Sequence, residues 1–314
     1  MMNTYLSTLD EQAHIYFVSH IFAGTAAGVS AAFLSPIGGI LFAAEEGASY
    51  LTARLMTQCF AAAITVIIFE YLFDIFGDGA AEGFSLSQPF ALRLQRFNGL
   101  PGQKGHLDPG FAFYDYFVIA FVGVVGGMVG ACFVEISKKL TKLRQKHTKT
   151  RLKKFVEVVI LAVLATTLMA WLPKVPGLSR CQSLNNTLAD EVYFVQFNCG
   201  ANEYNDLATL LRNPLPAGIN LLFWEPSDAF SAISCFVSGV TLLSVLLVTF
   251  GASIAMGIFV PLLYIGAAFG RFFAVIVPNQ LLDVRTYAIV GSAASLNGVS
   301  KSVVFYVVFA WVFV

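Results

Sequence analysis

Residues 229–270 run for 42 positions without an Asp, Glu, Lys or Arg. A straight helix needs only ~20 mostly apolar residues to cross the hydrocarbon core of a bilayer. This stretch is therefore too long for one span. Residues 12–44 and 116–134 are equally free of charge, shorter clean runs occupy 55–69, 158–173 and 286–300, and 302–314 is clean to the end. Such uneven runs predict an all-α polytopic membrane protein with tilted, broken and re-entrant helices. Broken backbone is tolerated at membrane depth only where protein or a water-filled cavity shields it. Composition agrees: 57% of the residues are apolar and 12% charged, against roughly 45–50% and ~25% in a soluble domain. Lys plus Arg and Asp plus Glu both total 19, so no basic field favours nucleic acid. The first residues lack the basic n-region of a secretory signal. The apolar end, Phe309 to Val314, leads to the expectation of a fragment or truncated product.

Basic residues set the orientation. Lys138, Lys139, Lys142, Arg144, Lys146, Lys149, Arg151, Lys153 and Lys154 crowd one short stretch. Short segments rich in Lys and Arg stay cytoplasmic, so 138–154 is expected to be a cytosolic loop. A helix from Phe155 to Leu172 then leads to a polar luminal segment, 173–206. It carries Cys181, Cys199 and the sequon Asn185-Asn186-Thr187, features that suit an oxidising lumen. Cys181 and Cys199 are expected to form a disulfide, the alternative being two free thiols. Counting outward, 78–110 is also luminal, and Glu45 and Glu46 lie toward the cytosol. Small residues four apart (Gly123 and Gly127, Gly126 and Gly130, Gly266 and Gly270) are those that let helices pack closely in lipid.

Enzyme signatures are absent: the sequence has no phosphate loop, no HExxH and no GxSxG, and its four histidines lack metal-ligand spacing. No enzymatic activity, metal or cofactor is expected. Two places resist explanation as lipid-facing helix. In the first, Ser35-Pro36-Ile37-Gly38-Gly39 precedes a short apolar helix ending on Glu45-Glu46. A carboxylate at membrane depth costs ~2.5–3.5 kcal/mol on insertion scales and usually faces a cavity. Here a helix end in water at the cytosolic rim is the competing explanation. In the second, Gly251-Ala252-Ser253-Ile254-Ala255-Met256-Gly257-Ile258-Phe259-Val260-Pro261 interrupts the 229–270 run near its middle. A helix restarting near Ile258 exposes N–H groups and the positive end of its dipole, which suit an anion. Pro261 fits a first turn, where no donor is needed. A kinked core helix capped by Ser253 or water is the alternative.

At these residues the chain resembles the CLC family of chloride channels and chloride/proton exchangers. Gly257-Ile258-Phe259-Val260-Pro261 and the following Leu262 to Arg271 are similar to the GIFxP motif and its helix. Ala26-Ala27-Gly28-Val29-Ser30-Ala31-Ala32-Phe33 with Ser35-Pro36-Ile37-Gly38-Gly39 is similar to the AAGVSAAFxxPxGG segment. Glu45 to Ser49, and Tyr204-Asn205-Asp206-Leu207-Ala208-Thr209-Leu210, are most similar to the endosomal and lysosomal branch. The resemblance implies a CLC-type fold over 1–314, with chloride held by the N–H groups of Ile258 and Phe259 beside Gly257. It also implies Glu46 as the inner proton-transfer residue, Glu45 as structural, and a homodimer with one pore per subunit in an intracellular membrane. Channel members usually carry an apolar residue where Glu46 stands, so the resemblance favours a chloride/proton exchanger over a voltage-gated channel. GSGIP and GREGP have no counterpart here. They are expected upstream of Met1, and the final helix with its pore tyrosine beyond Val314. Only the middle portion of the family domain is thus expected, and a non-conducting membrane fragment is the alternative of another class.

Overall fold

The computed structural model describes residues 2–33, 35–47, 52–78, 113–148, 150–183, 194–254, 256–276 and 284–300. It divides into two compact units, whose described parts are 2–78 and 113–300. Among the described residues helices dominate, with one two-stranded sheet.

The first unit contains α1 (Met2–Phe33), α2 (Pro36–Phe42), a π-helical turn (Ala43–Gly47) and α3 (Ala53–Asp78). Ser35 starts α2 by accepting the Gly38 N–H on its hydroxyl at 3.1 Å, and Pro36 fills the first turn. Gly39 brings α2 against α1: a Cβ there would meet the Ala26 carbonyl and the Ser30 side chain. Ala26, Ile40, Ala43, Cys59 and Ala63 form the buried core of this unit.

The second unit contains α4 (Phe113–His147), α5 (Arg151–Trp171), a 3₁₀ turn (Leu172–Lys174), β1 (Cys181–Ser183), β2 (Glu203–Asn205), α6 (Asp206–Arg212), α7 (Leu215–Trp224), α8 (Ala232–Thr249), α9 (Phe259–Ile276) and α10 (Val284–Ser300). Across the described chain, α3, α4, α5, α8 and α9 are long and apolar enough to cross a membrane. Leu152, Phe155 and Trp171 on α5 are 76%, 69% and 64% exposed. Apolar side chains so open on a span suit lipid or the surface of a neighbouring protein. More than half of the α9 span, by contrast, is buried.

Small residues explain how α9 is buried. Gly266 and Gly270 let it approach α10, where a Cβ would strike the Gly291 and Tyr287 carbonyls. On its other side α10 meets α4, with Gly126 against Ala294 and Gly130 against Ser295 and Gly298. Ser295 on α10 donates to the Leu262 carbonyl of α9 at 2.9 Å, a cross-helix bond of the kind that holds apolar bundles together. Gly123, four residues before Gly127, has nothing within 4 Å of a Cβ, so its spacing reflects no close packing among the described residues.

The stretch 138–154, expected as a loop, is instead the end of α4, a short break and the start of α5. Lys and Arg are good helix formers, and Leu140, Leu143 and Leu152 continue an apolar pattern through them, so charge alone does not end the helix. Of the expected luminal loop 78–110, Asp78 closes α3 and the rest lies outside the described residues. In 173–206, β1 and β2 pair antiparallel, with Cys181 opposite Asn205, and Cys181 and Cys199 are disulfide-bonded with Cα atoms 5.7 Å apart.

That segment is fastened by Asp206, which is fully buried. One carboxylate oxygen accepts the Arg180 and Leu207 N–H groups, each at 2.7 Å. The other accepts the hydroxyls of Ser231 at 2.8 Å and Ser234 at 2.7 Å. Asn205 caps α6 through the Ala208 N–H at 2.9 Å. The buried Tyr204 hydroxyl donates to the Ala229 carbonyl at 2.8 Å. Burial, and then the Asp206 carboxylate, push that phenol above the usual tyrosine range.

Gly270→Ala should destabilise the protein by about 1–3 kcal/mol, the usual cost of overpacking a close contact, whereas Gly123→Ala should stabilise it by up to ~1 kcal/mol, since alanine is the better helix former. Thermal melts of the two variants in the same detergent check this contrast.

Candidate functional site

The interruption between α8 and α9 is a place where the longest uncharged run loses its helix. α8 ends when Phe250 takes extended backbone angles, φ −65 and ψ 131. Gly251 follows in the left-handed region at φ +80, where a side chain costs roughly 1–2 kcal/mol. A Cβ there would also meet the Thr141 hydroxyl at 2.5 Å. Gly251 is therefore required twice, by conformation and by space. Short turns carry the chain on, with Ala252 N–H donating to Thr249 at 3.1 Å and Ile254 N–H to Ala252 at 2.8 Å.

The helix resumes at Phe259, and the Leu262 N–H returns to the Ile258 carbonyl at 3.1 Å. The restart thus falls near Ile258, as the sequence leads one to expect. Pro261 falls in the first turn and brings no N–H. That turn contains no acidic residue, so no carboxylate of its own neutralises the positive end of the dipole. N–H groups of a first turn lack acceptors within their helix, and with the dipole they form a place suited to an anion. Gly257, Ile258 and Phe259 are brought together at this restart. Gly257 is exposed, and a Cβ there would meet nothing within 4 Å. Unlike Gly251, it is not demanded by the packing of the chain.

The opposite end of the break is closed by a distant side chain. Arg144 of α4 donates from Nη1 to the Phe250 carbonyl at 2.8 Å and from Nη2 to the Val248 carbonyl. Its Nε pairs with Glu157 Oε1 of α5 at 2.9 Å. Neither residue was singled out in the sequence for this role. The acceptors are main-chain carbonyls more than a hundred positions away, a partnership that leaves no local motif.

The acidic pair lies in the first unit. Glu45 is exposed within the π-helical turn. Glu46 shares that turn, and its side chain lies outside the described residues, as does Asn185.

A match to the family described as "Voltage gated chloride channel" covers residues 11–314. The human H(+)/Cl(-) exchange transporter 7 is 29% identical over 285 residues, or 89% of this chain and 34% of the relative. Arabidopsis thaliana chloride channel protein CLC-c is 29% identical over 299 residues, or 90% and 36%. The chain thus spans about a third of the length of the curated relatives it matches. In fold it is similar to a crystal structure of a eukaryotic CLC transporter, with a TM-score of 0.55 at 18% identity over 94% of this chain and 44% of that one.

The two glycines flanking the break differ in what the fold asks of them. Gly251→Val should lower stability by at least ~1–2 kcal/mol through its backbone angle alone. Gly257→Val should leave stability unchanged, as judged by thermal unfolding in detergent.

Proposed function

The chain belongs to the voltage gated chloride channel family, the CLC proteins, and on that premise we propose that it contributes the chloride pathway of a chloride/proton exchanger. The observation that carries this reading is the restart at α9. A dipole end without a carboxylate of its own, reached past a glycine that packing does not require, is a place for a small anion held by main-chain N–H groups. Ile258 and Phe259 supply those groups, and Gly257 leaves room for the ion. Such a site suits transport, because amide donors replace part of a hydration shell without fixing the ion by a full opposite charge.

Glu46 is the proton carrier in this reading. It lies at the end of the short helix opened by Ser35 and Pro36, and a carboxyl group changes protonation state where an amide cannot. Glu45 is structural. The exchanger is preferred to a channel because this position carries a titratable group. The name of the human relative, an H(+)/Cl(-) exchange transporter, points the same way. The disulfide-bonded segment around Cys181 and Cys199 faces the lumen, Asn185 is glycosylated there, and the protein works as a homodimer in an intracellular membrane. Chloride and protons are its ligands, with no cofactor or metal.

Two measurements test this reading. For the expressed protein, calorimetry should show chloride binding weakened about tenfold by Gly257→Val, roughly 1.4 kcal/mol, and much less by Phe259→Leu. Equal losses would argue against a main-chain site. In chloride-loaded vesicles, Glu46→Gln should abolish coupled proton movement and spare chloride flux. Proton uptake intact in that variant would overturn the exchanger. Chloride flux without proton movement in the wild type would establish the channel. No flux in the wild type would support a non-conducting fragment.

A further inference from the structure

The end of α8 presents a problem that its own sequence does not solve. The last carbonyls of a helix have no donors within it, α8 carries no basic residue in its last turn, and in lipid such groups must be satisfied by protein. Arg144 supplies the donors from another helix. Its planar fork reaches two carbonyls, Phe250 at 2.8 Å and Val248, while its third side is held by Glu157 at 2.9 Å. The side chains of Arg144 and Glu157 are only 14% and 19% exposed. One guanidinium thereby joins α4, α5 and the end of α8.

Two further contacts from α4 act at the same point. The Phe133 ring lies 5.4 Å from that of Phe250, and Gly251 seats its backbone against Thr141. Every one of these contacts falls on the residues where α8 stops and the chain turns toward Gly257. The described turns between Gly251 and the restart at Phe259 are short, so the way the chain leaves α8 bears on how Ile258 and Phe259 are delivered to the packed body of α9.

We propose that Arg144, oriented by Glu157, is a positioning residue that fixes the exit from α8 and thereby the placement of the Ile258 and Phe259 N–H groups. This inference rests on the reading of those groups as the anion site. Its substance is geometric. A lysine would keep the positive charge near the carbonyls, but its single ammonium cannot reproduce a planar fork spanning two carbonyls and a carboxylate. If Arg144 only neutralises a helix end, Arg144→Lys should behave as wild type. If it positions the turn, the lysine should fail.

The test uses the expressed protein in nanodiscs. Arg144→Lys is expected to raise the chloride Kd about tenfold, the order of loss that follows a small displacement of a binding group, while the melting temperature stays close to wild type. Hydrogen exchange at the amides of 256–260 and 262, measured without chloride, is expected to accelerate in the same variant. Glu157→Gln, which leaves Arg144 its carbonyl partners, should give the same changes at smaller amplitude, and it replaces Arg144→Lys if that variant does not fold. Unchanged affinity together with unchanged exchange would overturn the positioning role. A wild type that binds no chloride would overturn the anion site instead. The exchange rates would then still decide, by themselves, whether Arg144 orders the turn.

Discussion

Hydrocarbon offers no hydrogen bonds, so a helix interrupted inside an apolar run must find partners for its exposed main chain within the protein. The second unit is organised around one such interruption. At its upstream side the carbonyls of Val248 and Phe250 receive a guanidinium. At its downstream side a helix begins with no carboxylate in its first turn. The two ends are treated differently: one is closed by a side chain from another helix, and the other carries no carboxylate of its own in its first turn.

A helix start is useful as a binding group only if the helix does not drift, and the packing behind α9 supplies that rigidity. Glycines at 266 and 270 remove the space a rotation would need, and Ser295 ties the first turn of α9 to α10. Tyr264 donates to the Leu210 carbonyl at 2.9 Å, linking α9 to the end of α6. Further along, the fully buried Arg271 donates to the Leu222 carbonyl at 2.8 Å and to that of Pro226. It thereby holds the end of α7 as Arg144 holds the end of α8. Twice, then, an arginine closes a helix C-terminus that carries no basic residue of its own.

Much of this was legible in the sequence, and the reasons differ by element. The α8–α9 break was visible because Gly251, Ser253, Gly257 and Pro261 fall inside an uncharged run, where their only common cause is a change of backbone direction. Family membership followed from the same residues together with the Ala26–Gly39 segment. The helical course of 138–147 and 151–154 is not legible in the sequence, because density of charge suggests a loop. Helix propensity does not distinguish charged from apolar straight-chain residues in that way. Arg144 and Asp206 were missed as organising groups for a deeper reason. Their partners are main-chain atoms or small hydroxyls brought near by the fold. Any residue offers a carbonyl, so nothing at 248 or 250 in the sequence marks it as the acceptor for position 144.

The distribution of the arginines also bears on why an anion site here would be built from main-chain donors. A free guanidinium beside the path would bind a small anion strongly and slow its release, whereas passage requires binding weak enough to reverse. Arg144 is satisfied by two carbonyls and a carboxylate, and Arg271 is committed to carbonyls and lies over the Phe230 ring at 5.1 Å. Their charges serve the architecture and are spent there. What is left at the start of α9 is a fraction of a unit charge spread over several N–H groups, enough to favour an anion and too little to trap it. In the reading of this end as an anion site, Gly257 has the same logic: where attraction is weak, access must be close, and a residue without a side chain would give an ion the shortest approach to the amides that follow.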